Sequence, residues 1–240
     1  MSVPGITLQG HVSVAGVPVV PQISLNVAPG SWTCLLGPSG IGKSTLLRLI
    51  AGIADEAELS GTLTISDGAP LEGRVALMSQ SDLLLPWLSV EDNIMLGARL
   101  RGEAAQPARA AALIDKVGLS QHAEKHPGQL SGGQRQRAAL ARTLMEDRPV
   151  ILLDEPFSAL DARTRAHMQD LTAKLLCDHT VLMVTHDPAE AARLGTTILV
   201  LGETGLNTWP TPPGPPPRPV DDAKTLEAQG ALLAALRGKI

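Results

Sequence analysis

The residues best placed to do chemistry form a run that fits the phosphate-binding pattern G-x-x-x-x-G-K-[ST]. The members of this phosphate loop are Gly37, Pro38, Ser39, Gly40, Ile41, Gly42, Lys43, Ser44 and Thr45. Its glycines let backbone N–H groups point at a polyphosphate, and the following helix adds its positive N-terminal end. The pattern predicts that Lys43 contacts the β- and γ-phosphates and that Ser44 ligates Mg²⁺. We therefore expect a nucleoside triphosphate to bind here, although a Gly-rich turn before a helix can match the same pattern.

A second set of candidates lies where an apolar run of strand length, residues 150–153, ends in two acids. A continuous apolar run is typical of a buried parallel strand. At its end, Asp154 is placed to hold Mg²⁺ beside Ser44, and Glu155 is placed to polarise a water that attacks the γ-phosphate. Two acids can also mark an ordinary exit from a strand, but the phosphate loop upstream favours the catalytic interpretation.

A third segment, which we call the signature segment, combines a hydroxyl, two glycines and an amide at a predicted helix start. Its members are Ser131, Gly132, Gly133 and Gln134. The hydroxyl and the bare backbone N–H groups can approach an anion closely. The sequence therefore predicts two anion-binding helix starts in one chain.

The run Leu-Ser-Gly-Gly-Gln-Arg-Gln-Arg at residues 130–137, together with the phosphate loop and Leu-Asp-Glu-Pro at residues 153–156, resembles the ATP-binding-cassette (ABC) ATPases. Gln80, Ser-Ala-Leu-Asp at residues 158–161 and Thr-His-Asp at residues 185–187 fit the order of that family's motifs. The resemblance covers about residues 5–205. It implies an enzyme that binds ATP and Mg²⁺ and hydrolyses ATP to ADP and phosphate.

The resemblance also implies a head-to-tail pair of two copies. Each ATP then lies between the phosphate loop of one copy and the signature segment of the other, where Ser131 and Gly133 contact the γ-phosphate. Opposed anion sites close when a polyphosphate bridges them, so ATP drives closure and hydrolysis releases it. Asp161 is implied to lie at the dimer contact near the opposing phosphate loop, but it equally fits an N-cap of the helix that follows it.

Two further roles within one copy follow from the resemblance. Gln80 is implied to orient Mg²⁺ and the attacking water, and His186 is implied to hold the γ-phosphate and Glu155. Taken singly, a Gln after a strand is usually a solvated loop residue and a His is usually structural. Their ordered placement among the other motifs favours the functional interpretation.

The chain departs from the family at the adenine site. The family usually stacks adenine on an aromatic residue, most often Tyr, of an early strand, whereas this chain has no Tyr and carries Val14 and Ala15 near that position. His11 is the nearest planar side chain. Because base stacking on aromatic rings is worth about 1–3 kcal/mol, we expect weaker or less base-selective nucleotide binding.

The elements that must position these residues alternate between strand and helix, which predicts a parallel sheet wrapped by helices. The resemblance makes this an α/β fold of the P-loop NTPase (RecA-like) type, with a parallel-sheet core, an N-terminal antiparallel β subdomain and an α-helical subdomain inserted at about residues 81–148. The predicted strands are residues 6–14, 17–27, 32–36, 61–65, 74–78, 150–153, 180–184 and 196–201, and the predicted helices are residues 46–53, 89–101, 105–117, 132–146, 161–176 and 188–194.

The C-terminal residues 206–240 are predicted to follow an ATPase domain of residues 1–205. Prolines are concentrated in residues 209–220, which indicates an extended, irregular connector. A short helix is predicted at residues 223–237, packed on its own domain. Its predicted apolar face consists of Leu226, Leu232, Leu233 and Leu236.

Composition narrows the possible partners. A formal net charge of −4 gives no broad basic footprint for nucleic acid, and three Trp and one Phe are too few for a base-stacking platform. Cys34 and Cys177 show no metal-ligand spacing, and Cys34 fits a buried strand position. Without a secretory signal or an apolar run of membrane length, we expect a peripheral protein on the cytoplasmic face of the cell membrane.

Residues 80–90, which we call the 80–90 loop, carry Leu-Leu-Leu-Pro-Trp between the core and the helical insertion. Local packing or docking of a partner's helix would each explain this apolar stretch. In the family this junction receives the coupling helix of a transmembrane permease. The Leu-Leu-Pro-Trp form resembles importers of the nitrate, sulfonate and taurine group, which includes uptake of thiamine pyrimidine precursors.

A single cassette without heptads, cysteine clusters or a basic face favours a transporter motor over DNA-repair, chromosome-maintenance or translation types. We therefore expect the chain to power import of a small nutrient, with permease subunits and an extracytoplasmic substrate-binding protein as partners. The alternatives are export, lipoprotein release or cell division, and regulation without transport. Because substrate recognition lies in those partners, this chain does not identify the substrate.

Overall fold

The computed structural model describes residues 3–54 and 56–237 as two sheets with flanking helices. The strands are β1 (Ile6–Val14), β2 (Val17–Val27), β3 (Trp32–Leu36), β4 (Ala57–Ile65), β5 (Val75–Met78), β6 (Val150–Asp154), β7 (Thr180–Val184), β8 (Thr197–Gly202) and β9 (Gly205–Trp209). The helices are α1 (Lys43–Ile50), α2 (Val90–Ile94), α3 (Leu96–Leu100), α4 (Pro107–Lys116), α5 (Gly132–Met145), α6 (Ala162–Leu175), α7 (Pro188–Leu194) and α8 (Ala223–Arg237), with short 3₁₀ helices at Ser120–His122 and Pro127–Gln129.

The smaller sheet is antiparallel, with the order β2-β1-β4. Ala15 and Gly16 turn the β1–β2 hairpin with φ values of 49° and 78°, as a two-residue hairpin turn requires. Gly10 and Gly61 face each other across β1 and β4, where a Cβ on Gly61 would lie 1.9 Å from the carbonyl oxygen of Gln9. The predicted N-terminal antiparallel subdomain is confirmed, and its third strand begins earlier than predicted, at Ala57.

The larger sheet has the order β5-β6-β7-β3-β8-β9 and is parallel except for β9, which pairs antiparallel with β8. Successive residues of its strands face opposite cores. Leu35 and Leu152 pack with the antiparallel sheet and α1, whereas Cys34 and Ile151 pack with the helices of the other face. Because both faces are covered, every residue of β3, β6 and β7 is buried, and the predicted α/β fold class is confirmed. Burial also raises the pKa of the Cys34 thiol, in keeping with an unreactive core residue.

Helices α2–α5 lie between β5 and β6, in the region predicted to be a helical insertion. Helix α5 begins as predicted at Gly132, because Ser131 caps it. The Ser131 side chain accepts a hydrogen bond from Gln134 N, and the Gln134 side chain accepts one from Ser131 N. This reciprocal capping box stabilises the helix start that carries the signature segment.

Two predicted helices differ from the observed ones by more than small shifts at their ends. The helix predicted at residues 46–53 runs three residues earlier, because it begins within the phosphate loop, directly after Gly42 with φ 93°, and Gly52 with φ 72° follows its last turn. The helix predicted at residues 89–101 is two helices, since the regular helix is interrupted at Met95. Ser89 caps the first of them by accepting a hydrogen bond from Asp92 N.

The predicted connector at residues 209–220 was wrong at its start. Gly205–Trp209 forms the edge strand β9, a strand that the sequence reading missed. Helix α8 begins as predicted at Ala223 and continues to the last described residue, Arg237, but its predicted face is wrong for Leu226 and Leu233, which are 49% and 37% exposed. Leu232 is fully buried and packs in the same core as Ala191 of α7. Residues 225, 228, 232 and 236, at helical spacing, form the inward face instead.

Arg218 fastens the Pro-rich segment to α7. Its guanidinium is buried and donates to the carbonyl oxygens of Ala192 and Gly195 at 2.9 Å each. In return, Arg193 Nε donates to the Arg218 carbonyl at 2.9 Å. The guanidinium thus satisfies carbonyls at the end of α7 that have no partner within the helix. The predicted packing of α8 on its own domain is confirmed, while the domain boundary at residue 205 stays a prediction.

Glu190 of α7 is a buried acid. Its carboxylate oxygen Oε2 accepts a hydrogen bond from Thr185 Oγ1 at 2.6 Å, and the side chain is almost fully enclosed. Burial raises the pKa of Glu190 to about 7. The folded chain therefore keeps a proton that the unfolded chain loses above about pH 4.5, so the free energy of unfolding falls as pH rises from there to about 7.

We expect Glu190→Gln to remove this pH dependence, because an uncharged amide still accepts the Thr185 hydrogen bond. Between about pH 5 and pH 7.5 the variant should gain about 2–3 kcal/mol of stability relative to the parent chain. Urea unfolding of both proteins at the two pH values measures this difference. A stability difference that does not change with pH would contradict the assignment.

Candidate active site

The predicted nucleotide-binding residues meet at the carboxyl ends of the parallel strands. The phosphate loop follows β3, Gln80 follows β5, Glu155 follows β6 and His186 follows β7. Since these strands are neighbours in one sheet, their ends lie at one edge, where open α/β sheets bind ligands. A cavity of about 200 Å³ there is lined by Val19, Gln80, Glu155 and much of the phosphate loop.

The shape of the phosphate loop depends on its glycines. A Cβ at Gly42 would lie 2.6 Å from Val20 Cγ2, and one at Gly37 would lie 2.6 Å from the Leu201 carbonyl oxygen. Within the loop, Lys43 Nζ donates to the carbonyl oxygens of Gly37 and Pro38 at 2.8 Å each. Only 6% of Lys43 is exposed, and burial lowers the pKa of its ammonium, an effect that the nearby Glu155 and Asp154 oppose. The loop therefore presents a cation beside two acids.

Glu155 lines the edge of the phosphate-loop cavity and lies between Gln80 and His186. Gln80 Nε2 donates to its Oε2 at 3.1 Å, and His186 Nδ1 lies 3.0 Å from its Oε1. The Glu155 backbone has φ 49°, a left-handed conformation that is uncommon outside glycine, and its N–H donates to the Val184 carbonyl at 2.9 Å. The structure thus brings together the three residues predicted to be catalytic.

Asp154 and Ser44 supply the oxygen atoms predicted to hold Mg²⁺. Asp154 is 4% exposed, and its Oδ1 has no hydrogen-bond partner among the described residues. Burial raises the pKa of Asp154, while the neighbouring Ser44 hydroxyl and Lys43 oppose that shift. A carboxylate and a hydroxyl are hard ligands, and Mg²⁺ takes its remaining ligands from phosphates and water. The residues present therefore fit Mg²⁺, although the described chain has no cluster of three or more His, Cys, Asp or Glu that could hold a metal alone.

The signature segment lies elsewhere in the same chain. Ser131 and Gly132 are exposed, and no signature residue lines the phosphate-loop cavity in the described part of the molecule. A Cβ at Gly133 would lie 3.3 Å from Leu160 Cδ2, so the segment packs on the residue before Asp161. Asp161 caps α6, since its Oδ1 accepts a hydrogen bond from Thr164 N at 3.0 Å. One copy therefore presents the phosphate loop and the signature segment as separate surfaces.

Sequence reasoning missed residues that hold these loops in place. Gln136 is 6% exposed, donates through Nε2 to the Glu155 carbonyl at 3.0 Å and accepts through Oε1 from Ala159 N at 2.9 Å. Arg165 donates to the Leu160 carbonyl at 3.0 Å and to Asp187 Oδ2 at 3.4 Å. For Gln136 the sequence offered one signal, which was its place in the Gln-Arg-Gln-Arg run. The sequence did not show on which face of α5 this side chain lies.

The region expected to receive the base contains no aromatic ring among the described residues. A cavity of about 320 Å³ runs beside Thr45 and is lined by Val14, Arg48 and the segment around Ala54. His11 lies in β1 opposite Ser60 and does not line this cavity. No aromatic residue therefore lines this cavity in the described part of the chain.

The 80–90 loop combines exposed apolar side chains with a fastened backbone. Leu83 and Trp87 are 60% and 68% exposed, whereas Leu84 is buried and Leu85 is half-buried. Asn93 is fully buried; its Nδ2 donates to carbonyl oxygens of the loop, including that of Leu85 at 3.1 Å, and its Oδ1 accepts from Leu85 N.

Among the helices of residues 3–54 and 56–237, none has the length and hydrophobicity that a membrane-spanning helix requires.

Comparisons with known proteins agree with this geometry. The family model described as ABC transporter matches residues 20–158. An ABC transporter ATP-binding protein of uncharacterised role from Haemophilus influenzae is 45% identical over 225 residues, covering 91% of this chain and 92% of that protein. A Streptomyces avermitilis protein named aliphatic sulfonates import ATP-binding protein SsuB 2 is 44% identical over 238 residues, covering 97% of this chain and 91% of its own length.

A solved structure gives the same result for the fold. It is the dimeric, post-hydrolysis state of an ATP-binding cassette bound to ADP and phosphate, with a TM-score of 0.74 and 28% identity. The match covers 85% of this chain and 98% of that cassette. The family match spans more than half of the chain, and the relatives share over two-fifths of their residues with it across nearly its full length. This chain therefore belongs to the ABC transporter family, as a nucleotide-binding subunit that hydrolyses ATP.

Proposed function

We propose that this chain powers the import of aliphatic sulfonates, or of small anionic nutrients of similar chemistry, across the cytoplasmic membrane. The observation that carries the motor role is the Glu155 carboxylate, held by Gln80 and His186 at the edge of the phosphate-loop cavity. Support for the substrate class comes from the relatives named for aliphatic sulfonate import, at 44–49% identity in several bacteria. The Leu-Leu-Pro-Trp sequence of the 80–90 loop agrees with that group.

Within one copy, the chain's own residues bind and orient the triphosphate. Backbone N–H groups of the phosphate loop and the Lys43 ammonium bind the phosphates. Ser44, Asp154 and Gln80 would hold Mg²⁺, which would neutralise charge on the phosphates. Glu155 accepts a proton from the attacking water, and His186 keeps the Glu155 carboxylate oriented toward the γ-phosphate.

A second copy completes each site. The exposed signature segment of one copy faces the phosphate loop of the other, so that Ser131, Gly132, Gly133 and Gln134 contact the nucleotide across a head-to-tail dimer. Asp161 lies at the same contact, next to the residues on which Gly133 packs. The separation of the two surfaces within one chain and the dimeric state of the similar cassette support this arrangement. An isolated copy accordingly binds ATP but does not turn it over.

The partners lie at and beyond the membrane. Transmembrane permease subunits dock on the 80–90 loop, whose exposed Leu83 and Trp87 offer an apolar contact. An extracytoplasmic binding protein delivers the substrate, and the chain itself remains peripheral on the cytoplasmic face. Residues 1–205 form the ATPase domain, with the helical subdomain at about residues 81–148, and residues 206–240 are a Pro-rich connector and a short C-terminal helix.

Glu155→Gln is expected to stabilise the ATP-bound dimer and slow hydrolysis by at least about 100-fold, because an amide cannot take the proton of the attacking water. Size-exclusion chromatography with ATP and a phosphate-release assay measure the two effects. Turnover near that of the parent protein would remove Glu155 from the role of base.

ATP and GTP are expected to support hydrolysis with kcat/KM values within about tenfold of each other, because no aromatic ring stacks on the base beside Val14. Phosphate release with each nucleotide at several concentrations measures the ratio. A large preference for ATP would show that another group, such as Arg48, recognises adenine.

Trp87→Glu is expected to reduce sulfonate uptake by about tenfold or more, because a charge at the centre of an apolar contact disrupts docking. Growth on an aliphatic sulfonate as sole sulfur source, in cells that lack the natural gene and carry the variant, measures uptake. Leu100→Glu, which changes a residue of α3 that is 76% exposed, is the matched control. ATP binding by the purified variants verifies folding.

Normal growth with Trp87→Glu would exclude docking through this side chain. Undiminished growth of cells that lack the gene altogether would instead contradict the sulfonate assignment. The two outcomes therefore separate the docking surface from the substrate class.

A further inference from the structure

An ion pair joins the 80–90 loop to the helix that carries the signature segment. Arg135 Nε of α5 donates to Asp82 Oδ2 at 2.9 Å, and its NH1 group donates to the Leu130 carbonyl at 2.9 Å. Asp82 in turn accepts a hydrogen bond from Leu84 N through Oδ1 at 3.1 Å. One carboxylate therefore shapes the loop and binds it to the first turn of α5.

A second arginine on the same helix holds the loop backbone. Arg142 donates through its two terminal nitrogens to the carbonyl oxygens of Leu83 and Asp82, at 2.7 Å each. Leu83 has φ 48°, a left-handed conformation that costs free energy for a branched side chain, and its side chain is 60% exposed. Arg142 thus stabilises the backbone conformation that presents Leu83 on the surface.

The two arginines act from one rigid element. They are seven residues apart on α5, which is about two helical turns, so both project from the same face. Ser131 caps that helix, and Arg135 N donates to the Ser131 carbonyl at 2.9 Å. Gln136, on another face of α5, contacts the Glu155 carbonyl instead. The 80–90 loop and the helix start that carries the signature segment are therefore joined through one helix.

We propose that Arg135 and Arg142, which we call the arginine clamp, are positioning residues that couple the 80–90 loop to the signature segment. When a partner docks on Leu83 and Trp87, the clamp moves or stiffens α5, and the position of Ser131 at the nucleotide of the opposite copy changes with it. The proposal rests on the head-to-tail dimer and on the docking surface proposed above. Neither arginine lines the phosphate-loop cavity, and the proposal assigns to both of them the role of linking partner binding to hydrolysis.

Coupling between two sites is reciprocal, which allows a test without the membrane partner. If docking on the loop changes the affinity of Ser131 for nucleotide, then nucleotide bound at Ser131 must change the affinity of the loop for its partner by the same factor. Residues 82–90 of the loop, which do not line the phosphate-loop cavity as Gln80 does, should accordingly respond to ATP. The clamp should be required for that response.

Amide hydrogen exchange of the full chain, with and without Mg²⁺ and ATP, measures the response. In a Glu155→Gln background, ATP is expected to slow exchange in peptides of residues 82–90, which exclude the site residue Gln80, by at least about fivefold, the lower range of site–site coupling. Adding Arg135→Gln and Arg142→Gln is expected to reduce the effect below about twofold. The slowing of exchange in the phosphate loop should remain, which shows that the variant is folded and binds ATP.

Two further variants sharpen the experiment. Arg109→Gln is the matched control, because Arg109 donates to Asp147 Oδ2 at 2.8 Å and to the Leu144 carbonyl at 3.3 Å without touching the 80–90 loop. It should behave as the parent does. Arg142→Lys keeps the charge but loses the forked contact with two carbonyls, and it should lose at least about half of the loop response even if the double variant is unstable.

Retention of the full loop response in the clamp variants would overturn the proposal, and so would a parent protein that dimerises with ATP without any change in the loop. If ATP does not dimerise Glu155→Gln at all, the head-to-tail dimer fails together with this inference. The experiment therefore separates failure of the clamp from failure of the function on which it rests.

Discussion

The contact of Glu155 with Gln80 on one side and His186 on the other is the interaction on which the rest of the site depends. It requires β5, β6 and β7 to be parallel neighbours, because each strand delivers one of the three residues to the same edge of the sheet. It also requires the left-handed backbone of Glu155, which the hydrogen bonds of its N–H to Val184 and of its carbonyl to Gln136 stabilise. The buried parallel strands therefore hold these three side chains in the geometry that catalysis requires.

Helix α5 is the second element on which function depends, since it carries the signature segment and contacts both the loop after Glu155 and the 80–90 loop. Its start carries the signature segment, Gln136 holds the loop after Glu155, and Arg135 and Arg142 hold the 80–90 loop. A single helix of 14 residues thus joins the proposed docking surface, the proposed base and the surface offered to a second copy. In the proposed dimer, this arrangement lets a contact at the membrane act on nucleotide bound between two copies.

Much of this fold was predictable, because its signals are local. Buried strands appear as apolar runs, Ser131 caps α5, and Gly42 and Lys43 follow the phosphate-loop pattern. The errors arose where tertiary contacts decide. β9 is a strand because β8 offers it an edge, and the buried face of α8 follows from packing on α7 rather than from counting leucines. The roles of Gln136 and Arg142 were not predictable, since a helical sequence does not show which loop lies against each face.

The central claim is that each nucleotide site is built from two copies, and complementation tests it most directly. Lys43→Ala disables the phosphate loop of a copy, and Ser131→Arg disables its signature segment, so each variant alone should lack ATP turnover. In a mixed dimer, the intact phosphate loop of one variant meets the intact signature segment of the other, which restores one of the two sites. Since about half of the dimers in an equal mixture are mixed, turnover of the mixture should return to about a quarter of the parent value. Different affinity tags verify that mixed dimers form with ATP. Verified mixed dimers without turnover, or full activity of either variant alone, would contradict the account.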